Sequence, residues 1–319
     1  MYRDNLFLAA LDTRDTLILD GGLATELENQ GHDLNQPLWS AALLISNPEA
    51  IINAHLAYLA AGADCIISAS YQASRAGLLR LGLTRAQADA VLTSSVELAR
   101  TAVGRFLDER PDHIHPPLVA ASVGPYGATV HDGSEYTGQY DIGVKELREF
   151  HAERLAILDA AGADVLACET IPNVMEALVL RELLANCQTP SWISFCCRDE
   201  LSISDGTPLR TAARGFSGHR RVAALGVNCT APQFIGALLD ELRHAAPDKA
   251  LIAYPNSGER YDVSNNSWRG TATPVECGSA AVSWRGSGAR IIGGCCRMGP
   301  THINQIRRSL EEPAHSKKP

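Results

Sequence analysis

A short phrase that recurs along the chain is the feature that most constrains its fold. It occurs as Ala61-Gly-Ala-Asp-Cys-Ile-Ile67 and as Ala161-Gly-Ala-Asp-Val-Leu-Ala167, and a shortened form reads Gly288-Ala-Arg-Ile-Ile292. In each case the glycine follows a helical pattern and ends a helix, and the aliphatic residues that come next begin a strand. A helix-to-strand step repeated in this way is typical of a chain built from βα units.

Eight apolar runs bounded by turn residues are predicted to be the strands of these units. They cover residues 16–22, 64–71, 117–124, 164–170, 191–197, 222–229, 250–257 and 290–296. Because the runs are almost continuously apolar, we expect parallel strands that are buried on both faces. Helical patterns lie between the runs, for example at residues 48–61, 85–106, 144–161, 174–185 and 232–244.

Eight alternating units in 319 residues predict an α/β fold, a single (β/α)8 TIM-type barrel rather than an open doubly wound sheet. The barrel is expected to span residues 1–312 and to be followed by a C-terminal tail at 313–319. Long loops rich in Gly, Ser, Asp and Tyr follow strands 3, 5 and 7, at residues 126–143, 198–215 and 258–286. In a barrel such loops cover the C-terminal face, where active sites are built, although long loops can also be surface decoration.

Composition limits the classes of molecule that the protein is expected to bind. A net charge of −8 offers no basic face for nucleic acid or for an anionic membrane. The sequence has no apolar run approaching the roughly 18 residues of a membrane span, and its first residues lack the apolar core of a signal peptide. Nine cysteines, an odd number, favour reduced thiols over a disulfide framework. We therefore expect a cytoplasmic protein with small-molecule partners.

Three cysteines suggest a metal site. Cys295 and Cys296 follow Gly293-Gly294 at the end of the eighth run, and Cys229 ends the sixth. Three thiols at the ends of buried strands suit a zinc ion that has three protein ligands and an open fourth position, the arrangement of catalytic zinc. Neighbouring cysteines can face one metal only at a flexible turn, and the two glycines are expected to supply that flexibility.

The other cysteines keep a second interpretation open. Cysteine is often buried simply as a small hydrophobic residue, which is the expectation for Cys65, Cys168, Cys187 and Cys277. A second adjacent pair, Cys196-Cys197, competes with Cys295-Cys296 on spacing alone. It lacks the preceding glycines and is followed by charged residues.

Polar side chains converge on the same predicted barrel mouth. Buried carboxylates at strand ends are costly without a partner, so Asp20 and Glu169 suggest recognition of an ammonium group, with a structural hydrogen bond as the alternative. Backbone N–H groups at Gly21 and Gly22, before a helical stretch, could hold a carboxylate. Together with the thiols these groups describe a pocket for a thiol amino acid. The remaining polar strand-end residues are Thr170, Asn228 and Asn256.

These motifs resemble the homocysteine S-methyltransferase family, and most closely its bacterial and plant members that use S-methylmethionine. The resemblance covers nearly the whole chain, and the combination of Asn-Cys with Gly-Gly-Cys-Cys is its most specific part. It implies a (β/α)8 barrel with Cys229, Cys295 and Cys296 as zinc ligands and with Asp20 and Glu169 holding the homocysteine ammonium group. The matching segments are Leu19-Asp-Gly-Gly22, Ala69-Ser-Tyr-Gln-Ala-Ser74, Ser122-Val-Gly-Pro-Tyr-Gly127, Asp132-Gly-Ser-Glu-Tyr136, Ala167-Cys-Glu-Thr170, Ser204-Asp-Gly-Thr-Pro208, Gly226-Val-Asn-Cys229, Tyr254-Pro-Asn-Ser-Gly-Glu259 and Gly293-Gly-Cys-Cys-Arg297.

The resemblance implies zinc-dependent transfer of a methyl group from a sulfonium donor, S-methylmethionine or S-adenosylmethionine, to the thiol of homocysteine, which yields methionine. Selenocysteine methyltransferases share the motifs and remain an alternative. The betaine-using branch of the family carries a Tyr beside the glutamate, where this chain has Thr170, so a betaine donor is less favoured. A non-enzymatic protein that stores zinc or senses oxidation would not need the two carboxylates.

Overall fold

The computed structural model describes residues 5–34, 40–130, 132–258, 260–262, 267–269 and 273–312. Within them, eight parallel strands and one short hairpin form the sheets, and the expected (β/α)8 barrel is confirmed. The predicted tail at 313–319 lies outside the described residues, so the domain boundary at 312 stays a prediction. The barrel strands are β1 Leu17–Ile18, β2 Cys65–Ile67, β3 Leu118–Val123, β4 Val165–Ile171, β5 Ser191–Phe195, β6 Val222–Asn228, β7 Ala250–Tyr254 and β10 Ala289–Ile292, and the hairpin strands are β8 Arg260–Asp262 and β9 Ser267–Arg269.

The strands follow one another around the barrel in the order β1, β10, β7, β6, β5, β4, β3, β2. A parallel bridge between Leu19 and Cys65 joins the two ends of this row. The backbone N–H of Asp20 then donates to the Cys65 carbonyl at 3.1 Å. Asp20 is thereby fixed at the carboxyl end of β1.

Helices alternate with the strands. Several begin as the sequence predicts: Asn47 accepts a hydrogen bond from the N–H of Ala50, with Pro48 in the first turn. The described helices are α1 Leu6–Thr13, α2 Leu23–Asn29, α3 Ser40–Ser46, α4 Pro48–Ala60, α5 Arg75–Arg80, α6 Arg85–Glu109, α7 Ser134–Thr137, α8 Val144–Ala160, α9 Val174–Leu184, α10 Leu209–Arg214, α11 Ile235–Ala245, α12 Pro274–Gly286 and α13 Pro300–Glu311, with 3₁₀ turns at Tyr126–Thr129 and Pro232–Phe234. No helix in the described ranges is long and apolar enough to cross a membrane.

The recurring glycine phrase ends three of these helices. Gly62, Gly162 and Gly288 follow α4, α8 and α12 with φ values of 101°, 84° and 93°, a left-handed conformation that glycine adopts without steric cost. The aspartates of the phrase fix the start of neighbouring strands. Asp64 Oδ2 accepts the N–H of Ile18 at 2.8 Å, and Asp164 Oδ2 accepts that of Val119 at 2.8 Å.

Two apolar layers hold the barrel. Residues facing the barrel axis form one cluster that includes Trp192 and Tyr254, and residues between strands and helices form another. Helix α1 covers the N-terminal end, where Phe7 packs 5.9 Å from the Trp192 ring. Because Trp192 is completely buried, its replacement by alanine should destabilise the fold by about 3–5 kcal/mol.

Seven of the eight barrel strands are shorter than the apolar runs, and the difference lies mostly at their carboxyl ends; β4 has the predicted length. β10 ends at Ile292. The Gly293 N–H still donates to Ala253 in β7, and the N–H groups of Gly294 and Cys295 donate to the segments that follow β1 and β7. The segment after the seventh barrel strand is also shorter than predicted, since α12 occupies residues 274–286. The start of α12 could be predicted from the sequence, because Thr273 and Glu276 form a capping box. Residues 259, 263–266 and 270–272 of this segment lie outside the described ranges.

Candidate metal and substrate site

The three predicted thiols meet at the C-terminal mouth of the barrel. The Sγ atoms of Cys229, Cys295 and Cys296 all lie within 4.8 Å of one another, and those of Cys229 and Cys296 are 3.9 Å apart. Tetrahedral thiolate ligands at about 2.3 Å from zinc have sulfur atoms about 3.8 Å apart, whereas a disulfide bond is about 2.05 Å long. The spacing therefore fits a shared metal. It is the one such cluster of three metal-ligating side chains among the described residues.

The double glycine lets the cysteine turn approach the first strand. A Cβ atom on Gly293 would lie 2.5 Å from Leu19 Cβ, and one on Gly294 would lie 2.6 Å from Met298 Cβ. Neither glycine has a positive φ. These positions need glycine because the space is closed to a side chain, and the expected flexibility of the turn stays a prediction. The backbone of the following cysteine is then fixed, since the Cys295 N–H donates to the Pro255 carbonyl at 2.9 Å.

Three non-glycine residues with positive φ surround the thiols: Thr170 at 60°, Cys229 at 46° and Arg297 at 66°. They are the only ones of this kind in the described part of the chain. The left-handed region costs a side-chain-bearing residue free energy and persists only where the surroundings enforce it. Each one adjoins a predicted site residue, so the backbone strain is concentrated at the site.

Hydrogen bonds among the three thiols shift their pKa values in opposite directions. Bonds from the Cys229 and Cys295 thiols lower the pKa of Cys296, and the phenol of Tyr136 lowers it further. Bonds to its two neighbours raise the pKa of Cys229. Without a metal, Cys296 is therefore the thiol of the three whose pKa is lowered. The loop side chain of Tyr136, which is 50 % exposed, touches the cluster from outside the barrel.

Glu169 lies buried at the end of β4 and is held by two hydroxyl groups. Ser122 Oγ donates to Oε1 at 2.5 Å, and the Tyr254 hydroxyl donates to Oε2 at 3.2 Å. Trp192 in turn donates its indole N–H to Tyr254 at 3.2 Å. Burial raises the pKa of Glu169 to about 7, against the lowering effect of the two hydroxyls.

Asp20 is the second buried carboxylate of the mouth. Its Oδ2 accepts the N–H of Ile67 at 2.8 Å, whereas no described residue donates to its buried Oδ1. Burial raises the pKa of Asp20 well above its usual value, and the charge of Glu169 adds to the shift. Two buried acids with raised pKa values, one of them with an unpaired oxygen, favour binding of a cation.

The other predicted substrate residues are placed as follows. Gly21 and Gly22 pack against the cysteine turn, where Cβ atoms would lie 2.0 Å from the Met298 carbonyl oxygen and 2.8 Å from that of Cys295. The Gly22 N–H donates to Met298 at 3.0 Å and is therefore not available to a ligand carboxylate. Asn228 lies next to Cys229 and bonds to Thr170.

The sequence left one competing cysteine pair open, and it did not reveal several residues that contact the site. The Cys196 thiol bonds to the carbonyl of Cys229 at 3.4 Å, and Cys197 packs in the core, so the second vicinal pair lies behind the cluster rather than in it. The contacts of Ser122, Tyr254 and Tyr136 were not predicted. Their segments were readable as family motifs, but contacts between distant strands and loops leave no local pattern.

Comparison with known proteins shows the family of the chain. The family model described as homocysteine S-methyltransferase matches residues 17–310. The chain is 48% identical over 299 residues to homocysteine S-methyltransferase YbgG of Bacillus subtilis, covering 93% of this chain and 95% of the relative. It is 46% identical to homocysteine S-methyltransferase of Escherichia coli over 96% and 99% of the two chains. The metallated crystal form of homocysteine methyltransferase MmuM from Escherichia coli superposes with a TM-score of 0.85 at 44% identity, over 95% of this chain and 99% of that one.

Proposed function

Since the chain belongs to the homocysteine S-methyltransferase family and is a methyltransferase acting on a small molecule, we propose that it moves a methyl group from a sulfonium donor to the thiol of homocysteine at a zinc ion. The observation that carries this proposal is the convergence of the Cys229, Cys295 and Cys296 Sγ atoms within 4.8 Å. It is supported by the metallated relative.

The donor set favours zinc among the metals. Three thiolates and no carboxylate in the cluster suit a thiophilic ion, and three protein ligands leave one position for a substrate sulfur. When bound there, zinc would lower the pKa of a substrate thiol and hold it as a thiolate. The three thiolate ligands keep the site anionic, so the substrate sulfur stays nucleophilic.

Homocysteine is oriented by the buried carboxylates. Asp20 offers an unpaired oxygen and Glu169 is held rigid by Ser122 and Tyr254, so the two acids can share the ammonium group of the amino acid. An ammonium ion between them would lower both raised pKa values, because an opposite charge favours the carboxylate form. Thr170, Asn228 and the remaining N–H groups near Gly21 and Gly22 complete the proposed substrate site.

A sulfonium donor suits the charge of the site. The anionic thiol cluster attracts a cation, and the leaving group departs as a neutral thioether. The donor then needs no proton, so no side chain has to act as a general acid. We propose S-methylmethionine as the preferred donor ahead of S-adenosylmethionine.

A second acceptor is supported by a specific relative. The chain is 41% identical to a selenocysteine Se-methyltransferase of Brassica oleracea over 94% of its length. A selenol is chemically similar to a thiol and would use the same cluster. Betaine remains the less favoured donor, since Thr170 replaces the Tyr expected in that branch, and zinc storage without catalysis would leave Asp20 and Glu169 without a role.

The test is methionine formation from homocysteine with equal concentrations of S-methylmethionine, S-adenosylmethionine or betaine, before and after zinc removal by a chelator. We expect fastest turnover with S-methylmethionine, loss of activity with the chelator and recovery with added zinc. Fastest turnover with betaine would contradict the sulfonium donor. Selenocysteine methylated much faster than homocysteine would reassign the acceptor.

We further propose a cytoplasmic location. All nine cysteines lie within the described ranges and carry free thiols, which suits a reducing compartment. A net charge of −8 also argues against a nucleic-acid partner.

A further inference from the structure

The segment between β3 and α8 lies beside the thiol cluster. The buried carboxylate of Glu176 acts as a clamp, because it accepts hydrogen bonds near both ends of this segment. Glu176 in α9 accepts the Tyr126 N–H at 2.7 Å and the Tyr140 hydroxyl at 2.8 Å. It also contacts His151 Nε2 at 2.8 Å. The clamp therefore holds residues 126 and 140 against α9.

Helix α7 forms the tip of this segment. Gly133 and Gly138 flank it with φ values of 80° and 71°, which only glycine adopts readily. A Cβ atom on Gly127 would lie 2.4 Å from the Glu135 backbone nitrogen. The close approach at Gly127 presses α7 against the preceding 3₁₀ turn and fixes where Glu135 and Tyr136 point.

Both side chains face the thiols. The Tyr136 phenol bonds to the Cys296 thiol. Glu135 is partly buried, and no described residue donates a hydrogen bond to its buried Oε2. Glu135 precedes Tyr136 in α7 and is close enough to Cys296 for the charge of that thiol to act on it.

A buried carboxylate oxygen without a partner is unfavourable unless a cation pairs with it. Asp20 and Glu169 already provide for the homocysteine ammonium group, and they lie on β1 and β4 rather than on this segment. An aromatic ring beside the acid can stabilise a cation over its face. During transfer the sulfonium must lie within bonding reach of the receiving sulfur, and therefore next to Cys296.

We propose that Glu135 and Tyr136 form the binding site for the sulfonium group of the methyl donor, with the Glu135 carboxylate as counter-ion and the Tyr136 ring against the methyl groups. This inference rests on the proposed function. It assigns the donor to the segment between β3 and α8 and the acceptor to β1 and β4. Because the acid balances the donor's charge beside the thiolates, it selects a cationic methyl donor over a neutral one.

The experiment measures KM for donor and acceptor separately in Glu135→Gln, Tyr136→Leu and Tyr136→Phe holoenzymes. We expect Glu135→Gln to raise the donor KM about ten- to a hundredfold, the size expected for a lost charge-assisted contact, with zinc content and homocysteine KM unchanged. Tyr136→Phe keeps the ring and should retain donor binding better than Tyr136→Leu. The matched control is Asp141→Asn, an exposed acid on the same segment, which should behave as the parent protein.

Two donors distinguish the sulfonium from the donor's own ammonium group: S-methylmethionine, and dimethylsulfonioacetate, which has no amino group. A rise in donor KM of the same size with both donors supports the proposal. A rise in donor KM confined to S-methylmethionine would overturn it. A rise in homocysteine KM instead, or unchanged kinetics in Glu135→Gln, would overturn it as well. If the parent protein uses neither sulfonium, the proposed function itself fails; if the parent uses them and the variants match it, only this inference fails.

Discussion

Asn228 and Thr170 exchange two hydrogen bonds at the mouth of the barrel. Asn228 Oδ1 accepts the Thr170 N–H at 2.7 Å, and Asn228 Nδ2 donates to the Thr170 hydroxyl at 2.7 Å. Thr170 follows Glu169 and Cys229 follows Asn228, and both Thr170 and Cys229 have positive φ. One buried amide therefore couples the position of a proposed ammonium-binding acid to that of a proposed metal ligand.

Asn228→Ala should weaken both the fold and the site. It leaves the Thr170 N–H and hydroxyl without their buried partner, which should lower the free energy of unfolding by about 2–4 kcal/mol. Urea unfolding measures this loss, and zinc content and homocysteine KM report the site. Thr170→Ser, which keeps the N–H and hydroxyl, serves as the control. An Asn228→Ala protein with parental stability and kinetics would show that the pair does not support the site.

Replacing either proposed ammonium acceptor by its amide should weaken homocysteine use. Asp20→Asn and Glu169→Gln keep the shape and remove the charge, so we expect a rise in homocysteine KM of about ten- to a hundredfold. Donor KM and zinc content should stay near parental values, because neither side chain is a proposed ligand. Parental homocysteine kinetics in both variants would mean that the carboxylates are structural.

His55 should make the folded protein sensitive to acid. It is fully buried in α4, neither ring nitrogen has a partner among the described residues, and burial lowers its pKa from 6.5 to about 4. Between these pH values the unfolded chain takes up a proton that the folded protein resists, so the free energy of unfolding falls as pH falls. The expected contribution is about 3 kcal/mol, gained again on returning above pH 6.5.

The measurement for His55 is urea unfolding at several pH values between 7 and 4 for the parent and for His55→Leu. The variant should show a shallower loss of stability over this range, since other groups titrate equally in both proteins. Identical slopes would mean that His55 is not buried in its neutral form.

How far the sequence predicts the molecule depends on the range of the interaction. The glycine phrase predicts the barrel because a helix end, a turn and a strand start are local events, and Gly62 and Gly162 adopt the φ values that this requires. The three thiols could be inferred because parallel strands bring their carboxyl ends to one face. Spacing alone could not separate Cys196 from the site, since only the tertiary structure turns its thiol toward the Cys229 carbonyl.

Contacts made across the barrel mouth could not be predicted. The bond from Ser122 to Glu169 joins neighbouring strands 47 residues apart in sequence, and the path of α7 depends on the clamp at Glu176. The close packing of the double glycine could not be predicted either, because the space that excludes a side chain at Gly293 is created by Leu19, far away in sequence.

Zinc content per chain tests the central claim most directly. The parent protein, Cys229→Ala, Cys295→Ala and Cys296→Ala would be purified identically, with Cys196→Ala and Cys197→Ala as matched controls, and analysed for metal with methyl transfer measured on the same samples. We predict one zinc ion in the parent and in both controls, and loss of zinc and activity in each of the three other variants. Zinc retained in Cys295→Ala, or lost in Cys196→Ala with the Cys229, Cys295 and Cys296 thiols intact, would contradict the account.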